Sequence, residues 1–159
     1  MNAAFYPGSF NPLTYGHLNI IERALALFDE VTVLVAVNPN KRPLFDVEES
    51  MAMIREATAE LGGINVDCTE GLLVDYARRS GVHTAVRGLR AVTDFENEFA
   101  MALTNRSLMA DFDTVFLMTH SDYMYLSSSV VRQVAELGGE LQKFVPPCVE
   151  RRLRAKFGG

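Results

Sequence analysis

Short apolar, β-branched or aromatic runs alternate along the chain with amphipathic stretches, and each run closes on glycine, proline or charge. Ala3–Tyr6 is the first run and ends at Pro7-Gly8; His17–Phe28 then sets Leu18, Ile21, Leu25 and Phe28 at helical spacing. Val31–Val37 is continuously apolar, as in a strand buried on both faces. Asp46–Leu61 is predicted helical, with Asp46 and Glu49 at capping-box spacing. Ile64–Cys68 predicts a third strand, Leu72–Arg79 a short helix ended by Gly81, and His83–Val86 a fourth strand. Thr93–Met109 is a long predicted helix with a Thr93/Glu96 capping box and one face made of Phe95, Phe99, Ala102 and Leu103. Thr114–Met118 is the fifth strand, Ser128–Leu137 a helix stopped by Gly138-Gly139, and a last helix follows Pro146-Pro147.

Strands that alternate with helices imply an α/β fold with crossover connections of one hand. The prediction is a Rossmann-like, doubly wound, five-stranded parallel sheet of order 3-2-1-4-5, with helices on both faces and a C-terminal helix. Ligands of such sheets bind beyond the carboxyl ends of the strands, where the order reverses. That point lies between strands 1 and 4, so the loops after Tyr6 and Val86 are predicted to face each other.

Composition narrows the function classes. A length of 159 residues fits a single domain, 1–159, with no repeat or linker composition. Apolar residues at 48% and charged residues at 22% are ordinary for a globular chain, and a net charge of −5 argues against a general nucleic-acid binder. The two cysteines, Cys68 and Cys148, form no disulfide framework or zinc pattern and read as reduced thiols. No apolar run is long enough to span a membrane, and MNAAFYPGSF lacks the basic start of a signal peptide. The expectation is a cytoplasmic protein, with the sequon at Asn105 accidental. The basic run from Arg151 to Lys156 reads as a solvated terminal helix.

The candidate chemistry sits in four loops. After strand 1 the chain reads GSFNPLTYGH, Gly8 to His17. Gly8 permits close approach of backbone to a ligand, Ser9 offers a hydroxyl, and His17 sits at the positive end of a helix, where it resists protonation yet can donate. A turn with a helix-capping histidine is the plainer alternative. After strand 2, NPNKRPLF puts Lys41 within reach of the crevice as a mobile charge, or leaves it on the surface. After strand 4, VRGLRAVTDFENE puts Arg87 and Arg90 around a glycine, as phosphate clamps or as ion-pair partners of Asp94, Glu96 or Glu98. Glu98 is a candidate acceptor for a ribose. After strand 5, Ser127-Ser128-Ser129 opens a helix, supplying an N-cap and further donors for a phosphate chain. His83 opens a strand and reads as a packing or surface residue, and His120 lies near the crevice with nothing paired to it in sequence. Met51, Met101, Met109 and Met118 read as core or interface filler. Neither Walker nor dinucleotide glycine motif is present, and no nucleophilic triad appears. A set of groups that neutralises phosphate fits nucleotidyl transfer, because a phosphate nucleophile is already an anion and needs no base.

YPGSFNPLTYGH, NPNK, RGLRAVTDFENE and YLSSSVVR, in this order, resemble the bacterial phosphopantetheine adenylyltransferase family from Tyr6 to about Phe144. The resemblance implies that AMP passes from ATP to 4′-phosphopantetheine, giving dephospho-coenzyme A and pyrophosphate, with Mg2+. It makes His17, Lys41 and Arg90 catalytic. Ser9, Lys41, Leu73 and Arg87 would bind phosphopantetheine. Ser9, Phe10, His17, Gly88, Leu89, Arg90, Glu98 and the segment Tyr123, Met124, Tyr125, Leu126, Ser127, Ser128 and Ser129 would bind ATP. No residue is assigned to a resident metal. The expected partners are the two substrates and further copies of the chain in a homohexamer, with no nucleic acid or membrane. Ser9 replaces the family's common Thr, Asn11 its common Asp, and the segment Thr119 to Tyr125 departs from the usual form. Intact His17, Lys41 and arginines argue against a non-catalytic nucleotide sensor, and RGLR against relatives that use other acceptors.

Overall fold

The computed structural model describes residues 1–158, without the side chains of Val92 and Thr93. Its elements are β1 (Ala3–Gly8), α1 (Tyr15–Leu25), β2 (Glu30–Val37), α2 (Val47–Ala57), β3 (Ile64–Glu70), α3 (Leu73–Ser80), β4 (Thr84–Leu89), α4 (Val92–Leu108), β5 (Asp113–Met118), α5 (Ser128–Glu136) and α6 (Pro147–Phe157). One turn of 3-10 helix, Ser121–Tyr123, follows β5. The five strands pair in parallel, as the alternating pattern predicts, and in the expected order, β3-β2-β1-β4-β5.

Alternation along β1 divides the core. Ala4 and Tyr6 join the larger cluster with Ile20 and Ile21 of α1, Met53 and Ile54 of α2, Val131 of α5 and Leu153 of α6. Phe5 turns to the opposite face and packs with Tyr76 of α3 and Phe112, its ring edge-on to both. Helices therefore cover both faces, which is what an apolar β2 requires.

The strands β1, β3 and β4 run past their predicted apolar ends to Gly8, Glu70 and Leu89, because backbone pairing continues at Gly8↔Val35, Val37↔Glu70 and Leu89↔Met118. Apolar patterning reports burial and does not see a backbone ladder. The first helix begins at Tyr15, two residues before the predicted start, since Thr14 is its N-cap. It and α2 stop short of Phe28 and Leu61, where the chain tightens into turns. The Asp46/Glu49 capping box on α2 is formed in both directions. Gly81 ends α3 in the left-handed conformation. The predicted Thr93/Glu96 capping box lies outside the described residues.

Two expectations about surfaces change. The α4 face of Phe95, Phe99 and Leu103 is about half exposed, and Met101 and Met118 are exposed as well, while Met51 is buried. The basic terminal segment is not merely solvated. Its helix α6 buries Cys148, Val149 and Leu153, and Arg151 and Arg152 both pair with Glu56 of α2. No helix of the described residues is long and apolar enough to cross a membrane.

Candidate active site

The crevice opens where β1 and β4 part. These neighbours share one register pair, Phe5↔Ala85, whereas β1 and β2 pair over six. Pro7 has no N–H to donate, and its carbonyl would be left without a ladder partner. Arg87 fills that role: its Nη1 donates to the Pro7 carbonyl at 2.5 Å. The rest of the guanidinium forms a two-pronged pair with Glu98 of α4, Nε at 2.7 Å and Nη2 at 2.5 Å. Burial opposes the Arg87 charge, and the Glu98 carboxylate more than restores it, so its pKa stands above the ordinary value.

The loop from Gly8 to Thr14 forms the floor. Phe10 is buried with φ of 45°, a left-handed conformation that few side chains adopt. Its ring lies 3.0 Å from where a Cβ on Gly8 would stand, so any larger residue there would press on the ring. The same ring stands edge-on to His17, centroids 4.9 Å apart. Asn11 is buried, and its amide grips the backbone of Phe45 in both directions: Nδ2 donates to the carbonyl at 2.7 Å and Oδ1 accepts from the N–H at 3.1 Å. The residue that replaces the family's common Asp thus joins the β1–α1 loop to the β2–α2 loop, a task that uses the amide's donor and acceptor together.

His17 is the third residue of α1. The Thr14 N–H donates to its Nδ1 at 3.0 Å, so the imidazole stands where Glu or Gln completes an ordinary capping box. An accepting Nδ1 carries no proton, which leaves Nε2–H as the donor. Burial, and then the positive charges of Arg90 and Arg87, lower the His17 pKa from about 6.5 to about 4. The ring is held neutral, in one tautomer, at a helix N-terminus.

Across the crevice, Ser127 is the N-cap of α5, accepting from the Val130 N–H at 3.2 Å. Ser128 donates to the Pro12 carbonyl at 2.8 Å. Ser129 is exposed, at the mouth. Arg90 donates to the Leu126 carbonyl and pairs with Asp94 at 3.1 Å. Together these groups line one cavity of about 300 Å3 with Ser9, Phe10, His17, Arg87, Gly88, Glu98 and Leu126.

Other predicted site residues stand apart from that cavity. Lys41 lines a second cavity of about 420 Å3, which meets the first at Ser9 and Ser129. Leu73 borders a narrow pocket behind Arg87 and Glu98. Leu89 does not line the first cavity. Nor do Tyr123, Met124 and Tyr125: Tyr123 borders a groove with Tyr15 and His120, and the other two are exposed. Sequence reasoning passed over Thr14, Ile20, Thr119 and Arg132. The Thr14-x-x-His17 spacing is a readable signal for the first and the YLSSSVVR segment for the last; Ile20 and Thr119 come to the site through packing.

Among the described residues, no three His, Cys, Asp or Glu gather where they could hold a metal ion. The carboxylates of the first cavity, Asp94 and Glu98, already face arginines.

The arrangement offers a neutral N–H donor, two arginines, hydroxyls and a helix N-terminus to a phosphorylated ligand. Comparison with known proteins agrees with that chemistry. Residues 5–134 match the cytidylyltransferase-like family model. A phosphopantetheine adenylyltransferase of Heliobacterium modesticaldum is 50% identical over 158 residues, covering 99% of this chain and 94% of the relative. The proteins of the same name from Carboxydothermus hydrogenoformans and Caldanaerobacter subterraneus are 51% and 48% identical, each covering 99% of this chain and 97% and 98% of the relative.

Proposed function

The chain belongs to the phosphopantetheine adenylyltransferase family, within the cytidylyltransferase-like group, and from that premise we propose that it moves AMP from ATP to 4′-phosphopantetheine, giving dephospho-coenzyme A and pyrophosphate in coenzyme A biosynthesis. The observation that carries this reading is the convergence of His17, Arg87, Arg90 and the Ser127–Ser129 helix start on one cavity beyond the strand ends.

The acceptor phosphate attacks the α-phosphorus of ATP in line, with no covalent enzyme intermediate. As an anion the nucleophile needs no general base, so catalysis rests on positioning and charge stabilisation. His17 donates Nε2–H to oxygen charge that grows in the transition state, and its low pKa keeps it a neutral, preorganised donor. Arg90, Gly88, Leu126 and the serines face the nucleotide. Arg87 meets the acceptor phosphate, with the pantetheine arm passing Leu73, which stands beside Arg87 and Glu98. Lys41, exposed at the rim of the second cavity, reaches over Ser9 to the reacting phosphates. Glu98, bound to Arg87, orients that guanidinium as well as facing the ribose. Tyr123 to Tyr125 reach ATP by closing over the mouth. A magnesium ion carried on the ATP phosphates would neutralise part of their charge.

The stripe of Phe95, Phe99 and Leu103 at i, i+4 and i+8 on α4 supports assembly into a homohexamer, since a lone chain gains nothing by exposing it. The decisive assay follows pyrophosphate release from ATP with and without phosphopantetheine. Release that needs the acceptor, with dephospho-coenzyme A identified by mass, supports the reading. Acceptor-independent release, or none, defeats it.

A further inference from the structure

β5 is an edge of the sheet, since it pairs with β4 alone. On an edge strand the backbone groups of alternate residues face away from the ladder and need another partner or water. At the end of β5 the Thr119 N–H donates inward, to the Leu89 carbonyl at 2.9 Å. The Met118 carbonyl and the His120 N–H, on either side of it, face the free edge. Two side chains of α1 meet them. Arg23 Nη1 donates to the Met118 carbonyl at 2.5 Å, and Asn19 Oδ1 accepts from the His120 N–H at 3.0 Å. Four residues before Asn19, the Tyr15 ring stands over the ring of Tyr123, centroids 6.2 Å apart and planes tilted by 31°. Tyr15, Asn19 and Arg23 recur every fourth residue, so they form one stripe along the helix, and the whole stripe meets the segment from Met118 to Tyr123. From a neighbouring side of α1, His17 and Ile20 line the first cavity. Thr119, bracketed by the two bonds and 4% exposed, lines it too.

We propose that Asn19 and Arg23 are positioning residues for adenylyl transfer. They fasten the end of β5, with Thr119 in the cavity wall and the root of the Tyr123–Tyr125 segment, to the helix that carries His17. The far end of that segment is tied separately, since Arg90 donates to the Leu126 carbonyl. Tyr123 to Tyr125 are thus held at both ends, and closure over ATP is a movement of this short arc alone. The span between the His17 imidazole and the opposite wall is then set by one rigid element, α1. A loose wall would leave the nucleotide in several poses, few of which put its α-phosphorus in line with the acceptor. The two fastened backbone groups lie at the exposed edge, where water can replace either bond, so the bonds add little to stability and act chiefly on position. The clamp takes its substrate, though not its geometry, from the adenylyl-transfer reading.

Asn19→Ala, Asn19→Asp and Arg23→Gln test it in the full chain. Asn19→Asp keeps an oxygen acceptor in place and is the conservative variant. Hydrogen–deuterium exchange, read by mass spectrometry on peptides spanning 118–123, should quicken in Asn19→Ala and Arg23→Gln and stay near wild type in Asn19→Asp. Melting temperatures should stay close to wild type in all three. In steady-state assays Asn19→Ala and Arg23→Gln should raise KM for ATP by about two- to thirtyfold, the range for residues that act on a ligand without touching it, with KM for phosphopantetheine unchanged. Asn19→Asp should restore KM for ATP. Calorimetric titration with ATP alone should show the same order of affinities. An unaltered KM for ATP in both Asn19→Ala and Arg23→Gln overturns the proposal, as does Asn19→Asp behaving like Asn19→Ala. Activity that falls only in step with the folded fraction, both KM values unchanged, overturns it too. The adenylyl-transfer reading fails separately: a wild-type protein whose ATP affinity depends on Asn19 and Arg23 but which forms no dephospho-coenzyme A keeps the clamp and loses that reaction.

Discussion

His17 shows how one side chain acquires a function from two neighbours. Thr14 fixes its tautomer, and burial together with two arginines fixes its charge. His17→Ala should lower turnover by roughly 100–1000-fold, the usual result of removing one transition-state donor, with a smaller effect on ATP affinity; calorimetry beside steady-state kinetics separates the two. The same residue imposes a pH dependence on folding. Its folded pKa of about 4 lies below the ordinary 6.5. Between those values the unfolded chain holds a proton that the folded chain lacks. This contribution to stability is complete above about pH 6.5 and is lost as pH falls towards about 4. Denaturant unfolding across pH 4–7 should show it, and the His17 ring resonances should remain those of a neutral imidazole down to about pH 5. A ring that titrates near 6.5 refutes the buried, neutral donor.

Elements are held in register by small contacts between the loops and helices that carry the site. Asn11 joins two loops through both backbone groups of Phe45. Asn11→Ala leaves that buried N–H and carbonyl unpaired, at about 1–3 kcal/mol for each group, so the melting temperature should drop clearly while phosphate affinity weakens with the displaced loop. Gly88 lets α1 lie close to β4: a Cβ there would come within 2.9 Å of Ile20 Cγ1. Gly88→Ala should therefore destabilise the fold by roughly 1–3 kcal/mol, as overpacking does, and shift the helix that carries His17. In an Ile20→Ala background, which lacks both contacting carbons, Gly88→Ala should cost less stability and less turnover. If stability returns and turnover does not, the alanine obstructs the nucleotide directly. Thr14, Asn11 and Gly88 are legible in the sequence as residue types that favour caps, turns and close approach. Their partners Phe45 and Ile20 are not, because nothing local says which distant segment will lie against them.

At the scale of the whole molecule, α4 carries an apolar stripe that stays about half exposed, although Phe95 meets Phe116 of β5 edge-on at 6.1 Å. Periodicity marks a helix face that avoids water without saying whether the chain itself or a second copy covers it. Phe99→Glu with Leu103→Glu should leave the monomer fold intact and convert a large assembly into smaller species by sedimentation velocity. An unchanged sedimentation coefficient would place the interface elsewhere.

The sequence by itself determined the alternation of strands and helices, and with it a parallel sheet whose ligand-facing loops follow the strands, because these are properties of local pattern; the pairing of the strands confirms the expected order and so places the crevice between β1 and β4. Only the tertiary structure decided how the charges are shared. Arg87 and Arg90 meet carboxylates, while among the described residues Lys41, Arg42 and Arg132 meet none. Lys41 and Leu73 border cavities other than the one His17 lines. The physical reason is that pairing between side chains depends on separations of a few ångströms across elements far apart in the chain. A motif fixes which groups come to the crevice, and packing fixes which of them remain free to bind.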